Sequence, residues 1–216
     1  MTLTEGITRI NYALRGIDDD APNATTDEYV YWLSLLNKKQ DELYSDTTKN
    51  WNLAYSYASL GAVTSATTSV PVATNFMSAS DKAVFVSTAD STEKKLAIVK
   101  ANDRTNGVYL GGNPLALYIP TSTITEDGTL YLPGYYQPAY PVDPTDLIPL
   151  PDPNWGVTAV AAEIAFSDIT YEDKAEALQA RANFLYGLMA KNNRSGTFQN
   201  PRTTPYNITR IRNTEG

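Results

Sequence analysis

Between residues 138 and 153 the chain carries Pro138, Pro141, Pro144, Pro149, Pro151 and Pro153. Proline locks φ and donates no backbone hydrogen bond, so this stretch is neither helix nor central strand. It divides the sequence. Ahead of it lies a stretch patterned for strands, and ahead of that two helical blocks. Behind it lie two more helices. Five segments follow: N-terminal helices over 1–50, a β-rich insertion over 51–140, a Pro-rich connector over 141–154, C-terminal helices over 155–191 and an extended basic tail over 192–216. The expected class is α+β: a helical bundle formed by the N- and C-terminal helices, with an antiparallel β insertion and an extended C-terminal tail.

The helical blocks have start signals and apolar faces. Thr2 with Glu5 makes a capping box for a helix over 3–15, whose stripe is Leu3, Ile7, Ile10 and Leu14. Thr25 with Glu28 suggests a second box for a helix over 27–45. That helix lines Tyr29, Trp32, Leu33, Leu36, Gln40 and Leu43 on one face and turns Lys38, Lys39, Asp41 and Glu42 outward. A third helix is expected over 155–166 with Val157, Val160, Ala161 and Ile164 inward. Thr170 is placed to cap a fourth, on which Tyr171, Ala175, Leu178, Ala182, Leu185 and Met189 keep a seven-residue rhythm, widened by Phe184 and Leu188. The predicted bundle core is Ile7, Ile10, Leu14, Trp32, Leu33, Leu36, Leu43, Ile164, Leu178, Leu185 and Met189.

Strands are predicted at Trp51–Tyr57, Val70–Ala73, Ala83–Ser87, Lys95–Ala101, Val108–Leu110, Leu115–Ile119, Thr121–Thr125 and Thr129–Tyr136. Asn106–Gly107 and Glu126–Asp127–Gly128 are the expected hairpin turns.

Composition narrows the chemistry. The chain has no Cys and no His. Thiolate nucleophiles, Cys-ligated metals, Ser–His–Asp hydrolysis and His-type zinc sites are therefore excluded. Acid pairs such as Asp41/Glu42 and Glu172/Asp173/Glu176 suit a solvated helix surface, and Asp18–Asp19–Asp20 lacks the spacing of a calcium loop. Gly111–Gly112–Asn113–Pro114 lacks the Lys–Ser/Thr of a phosphate loop. No catalytic residue, metal site or cofactor is expected. No run of about 18 apolar residues offers a membrane span, and Met1–Arg15 does not resemble a signal peptide.

The net charge of −7 is uneven. Residues 1–50 hold five basic and nine acidic side chains, and 141–191 hold three and eight. The tail reverses sign, with Arg194, Arg202, Arg210 and Arg212 against Glu215. Mixed with Phe198, Tyr206 and Ile208, those arginines compose a docking segment, since Arg and aromatic residues dominate interface hot spots.

Thr26–Asp27–Glu28–Tyr29–Val30–Tyr31–Trp32–Leu33–Ser34–Leu35–Leu36–Asn37–Lys38–Lys39–Gln40, behind a short first helix, resembles the head-to-tail adaptor proteins of tailed bacteriophages. Asp127–Gly128–Thr129–Leu130–Tyr131–Leu132 running to Tyr135–Tyr136–Gln137–Pro138–Ala139 is similar to the end of that group's β insertion. Asp152–Pro153–Asn154–Trp155 and the helix pair to Lys191 are similar to its closing segment. The stretch Ala62–Ser80, rich in Thr, Ser and Ala, departs from the pattern. The resemblance implies a non-enzymatic virion protein at the neck between head and tail, made in the host cytoplasm. It would form a ring, dodecameric in relatives, beneath the portal protein. Arg194, Phe198, Arg202, Tyr206, Ile208, Arg210 and Arg212 would dock on the portal. The opposite side would meet tail or nozzle proteins, and genomic DNA would pass through an acidic lumen without specific binding. The alternative from the residues alone is a tail or receptor-binding β-rich module, presenting Tyr109, Tyr118, Tyr131, Tyr135 and Tyr136 as aromatic platforms.

Overall fold

The structure, a computed structural model, describes residues 1–16, 20–46, 51–100, 103, 107–121 and 123–194. Among these residues the fold is mixed α+β, with four α-helices and antiparallel sheets. Two compact units emerge. Met1–Leu53 and the described chain from Pro138 to Arg194 form a helical unit, and Ala54–Gln137 forms a β unit.

Helix α1 spans Leu3–Arg15 and has the capping box expected of it: the Glu5 amide donates to Thr2 Oγ1 at 3.2 Å and the Thr2 amide to Glu5 Oε2 at 2.8 Å. Leu3, Ile7, Ile10 and Leu14 are buried. Helix α2 spans Asp27–Ser45, but its cap is Thr26, which accepts from the Tyr29 amide at 3.2 Å. Thr25 bonds Asn23 instead, and Glu28 pairs with Arg15, so the box expected at Thr25/Glu28 does not form. The buried face of α2 is also wider than expected. Leu35 and Tyr44 join Trp32, Leu36 and Leu43, while Leu33 is only half-buried.

The shift toward Tyr44 has a cause in the Pro-rich segment. Gln40 Nε2 donates to Pro138 O at 2.6 Å and the Tyr44 hydroxyl to Pro149 O at 2.7 Å. Farther along, the Leu3 amide donates to Asp146 O and the Ile148 amide to Met1 O, and Ile148 and Leu150 are buried. This stretch is a wall of the core, not only a connector. Proline has no N–H to donate but keeps its carbonyl, and the carbonyls of Pro138, Pro144 and Pro149 accept bonds from the helices.

Helix α3 spans Pro153–Ser167, two residues earlier than expected. Asp152 caps it through the Asn154 amide, at 3.0 Å, and Pro153 takes the first helical position, where a missing N–H costs nothing. Besides Val157, Val160, Ala161 and Ile164, it buries Trp155, Ala162 and Ala165, and it packs against α1, α2 and α4. Helix α4 spans Glu172–Arg194. Thr170 is not its cap. It lies in a 3₁₀ turn, Ile169–Tyr171, where its amide donates to Asp168 at 2.9 Å.

On α4, Ala175, Ala182 and Met189 are buried, and Tyr171 (in the turn just before it), Leu178 and Leu185 are half-buried along the same row. Phe184 and Leu188 do not widen that face; they are exposed. The helix runs on through Asn192 and Asn193, so the segment assigned as tail begins in helix. Asn193 holds Asn52 there by two hydrogen bonds, 2.9 and 3.1 Å. Trp51 belongs to this unit as well, not to a first strand. It is buried, donates from Nε1 to Leu43 O at 3.1 Å and meets Tyr186 edge-on.

In the β unit a five-stranded antiparallel sheet joins β1 (Tyr55–Val63), β3 (Phe76–Ala79), β4 (Lys82–Ser87), β5 (Glu93–Ala97) and β8 (Gly128–Tyr136). Its order is β1-β8-β4-β5, with β3 also on β8. A second sheet orders β2 (Ser69–Pro71), β7 (Ala116–Tyr118) and β6 (Tyr109–Gly111). The first strand starts after a 3₁₀ turn at Asn52–Ala54 and runs on to Val63, and β3 was not anticipated. Thr121–Thr125 contains no strand among its described residues. Ile124 is a core plug, and Gly128 opens β8 in place of closing a hairpin. A Cβ at Gly128 would stand 2.4 Å from the Phe85 ring and from Val86 O, so close strand approach fixes that glycine. Asn106 lies outside the described residues. Ile98 and Val108 on either side of it form a parallel bridge, which a simple hairpin would not.

Candidate docking surfaces

Within the helical unit, charged side chains gather where α2 meets α3. Glu163 takes Lys38 at 2.6 Å and Lys39 at 2.7 Å, and Glu42 takes Lys39 at 2.9 Å. The lysine expected to point outward, Lys39, is thus largely enclosed. Burial alone would raise the pKa of Glu163, but the hydrogen bonds from both lysines outweigh it and hold the carboxyl below its ordinary value. The cluster borders a groove of about 380 Å³ lined by Trp155, Ala159, Phe166, Gln179, Asn183 and Tyr186. Its acids are committed to lysines. Its lining is mixed, with aromatic rings and alanines beside the amides of Gln179 and Asn183 and the charged cluster itself.

A second polar assembly pins the start of α4. Arg15 forms a bidentate pair with Glu28, donates from Nε to the Tyr171 hydroxyl at 3.0 Å and lies 5.6 Å from the Trp32 ring centre. Lys174 Nζ donates to Leu14 O at 2.5 Å, closing the C-terminus of α1. Both contacts tie helices together.

The apolar surface of this unit is unevenly placed. Phe166, Ile169, Phe184 and Leu188 are exposed on α3, α4 and the turn between them. Sequence periodicity attached Phe184 to the buried rhythm. The helical angle held the missing signal: Phe184 lies two residues past Ala182, about 200° around the helix.

In the β unit the tyrosines pair off. Tyr55 meets Tyr135 and Tyr57 meets Tyr131 with centroids 5.3 and 5.2 Å apart, and Tyr109 stacks on Tyr118 at 5.0 Å and 8°. Tyr136 is buried, its hydroxyl donating to Leu132 O at 2.8 Å, and burial pushes its pKa up to about 12. The five tyrosines considered as one platform therefore divide between two sheets, one of them internal.

Among the described residues no group of three or more acidic side chains is placed to hold a metal ion, and no helix is long and apolar enough to cross a membrane. Asp41 accepts from the Tyr140 hydroxyl at 2.5 Å, and Glu172, Asp173 and Glu176 are exposed at the start of α4. Of the docking residues, Arg194 closes α4 in its backbone; Phe198, Arg202, Tyr206, Ile208, Arg210 and Arg212 lie outside the described residues. No family model matches the chain, and no curated protein matches it.

Proposed function

We propose that the chain is a structural subunit without catalytic activity: a head-to-tail adaptor that forms a ring between the portal and the tail of a tailed bacteriophage. The carrying observation is the order of elements. Met1–Leu53 and the described chain from Pro138 to Arg194 build one helical unit, and Ala54–Gln137 is inserted between them in sequence as a β unit of its own, an arrangement suited to a ring body bearing a separate contact module. The absence of His and Cys supports a non-catalytic role. So does the commitment of Glu163 and Glu42 to lysines. In this reading the segment containing Phe198, Arg202, Tyr206, Ile208, Arg210 and Arg212 supplies the portal contact.

Electron microscopy of the chain mixed with portal rings tests the proposal. A ring of identical subunits seated on the portal is expected, and bare portals would refute it. Removing residues 198–216 should abolish seating while leaving helical content intact. The second reading, a receptor-binding β module, draws on the stacked Tyr109–Tyr118 pair. It expects binding that survives that deletion and fails with Tyr118→Ala.

A further inference from the structure

Helix α4 has two apolar faces, and the protein uses one. The buried row runs Ala175, Leu178, Ala182, Leu185 and Met189. The opposite row is Asp173, Ala177, Ala180, Phe184, Gly187 and Lys191, every member exposed, with Phe184 at 65%. Its spacing of 4, 3, 4, 3 and 4 residues is that of the a and d positions of a coiled coil. Gly187 sits inside the helix without a positive φ, and a Cβ there would meet nothing within 4 Å. Such a glycine lowers helix stability and gains nothing inside its own subunit.

We propose that in the free protein this face of α4 packs against the same face of a second copy, with the two helices antiparallel about a twofold axis level with Ala182. Charge and volume select that partner and that direction. With the axis there, Asp173 lies opposite Lys191 of the second copy, Ala177 opposite Gly187, and Ala180 opposite Phe184. The outer layers set an acid against a base, the central ones a large group against a small one and those between them two small residues, and symmetry repeats each layer twice. A parallel pair would place Phe184 on Phe184, Asp173 on Asp173 and Lys191 on Lys191, which crowds the centre and repels at both ends. The helix dipoles also favour the antiparallel direction.

Gly187 and the two alanines let the axes approach to about 8 Å, the short end of helix packing. The seam from Asp173 to Lys191 is about 27 Å long. One helix from each copy buries less than a standard interface, so the association is concentration-dependent. A twofold contact closes on two copies, whereas a ring joins two different faces of each subunit. The pairing therefore stands or falls apart from the adaptor role.

The test uses the full chain, whose lack of cysteine makes any introduced thiol unique. Sedimentation equilibrium should show monomers giving way to dimers as concentration rises. Asp173→Lys and Lys191→Asp should each weaken dimerisation about tenfold, since each turns two attractions into two repulsions. Combining them should restore it. Mixed under mild oxidation, Ala180→Cys and Phe184→Cys should cross-link to each other in preference to themselves. A chain monomeric at all concentrations would overturn the proposal. So would an association indifferent to the charge reversals, or one without the mixed disulfide, because either places the contact elsewhere.

Discussion

Helix α3 carries a single charged side chain, Glu163, and is enclosed by α1, α2 and α4; helix α4, packed along it, carries acids at its start and Arg181 and Lys191 farther on, and leaves a whole face to solvent. Both helices are rich in alanine, and the same residue does different work in each. In α3, Ala161, Ala162 and Ala165 are buried where neighbouring helices come close. In α4, Ala175 and Ala182 serve that purpose, while Ala177 and Ala180 look outward. Small side chains mark close approach only when the partner across from them is known.

The comparison breaks most visibly at the centre of α3. Val160 is fully buried, and Val160→Asp places an unpaired carboxylate in the core. It should cost at least about 4 kcal/mol and abolish cooperative unfolding by circular dichroism in urea. Next comes the inner face of α4. Met189 is 1% exposed, and Met189→Ala should cost about 2–4 kcal/mol, read as a lower urea midpoint with an unchanged slope.

These contrasts also mark what was legible in the sequence. Helix α1, its capping box and its Leu3–Ile7–Ile10–Leu14 stripe follow from local rules alone, and the structure keeps them. Core positions on α2 were legible to within one turn of the helix. Leu35 and Tyr44 replaced Leu33 because the Pro-rich segment folds back on that side, a long-range contact that no periodicity encodes. Pro153 falls inside the connector expected over 141–154, although Asp152 before it is a strong helix cap. Thr121–Thr125 has strand composition, but its described residues form no strand, and Ile124 is buried in the core. As for the docking surfaces, the ion-pair cluster by Glu163 joins residues more than a hundred positions apart, whereas the open row of α4 was fully present in the sequence as a second seven-residue rhythm.

The Glu163 cluster ties α3 to α2 and gives the comparison a pH dependence. Glu163→Gln should cost about 1–2 kcal/mol near neutral pH, because Lys38 and Lys39 lose a shared partner that is itself partly enclosed. The native carboxyl has a lowered pKa, so its contribution is fully present above the unfolded value and disappears as pH falls through the folded one. Urea titrations should therefore separate the two proteins at pH 6 and bring them together in acid below the ordinary carboxylate range. A gap that persisted there would assign the loss to packing.

The smallest effect lies on the open face and has the opposite sign. Gly187 has no contact to lose, and alanine is the better helix former. Gly187→Ala should therefore stabilise the monomer by about 0.5–1 kcal/mol, measured by urea unfolding at concentrations too low for association. On a buried helix the same exchange would need space that α3 lacks: a Cβ at Gly156 would stand 2.3 Å from Leu150 Cδ1. Gly156→Ala should accordingly gain nothing, or lose stability where Leu150 must shift. Equal gains at both positions would mean that the enclosure of α3 and the openness of α4 do not govern what a methyl group is worth in this fold.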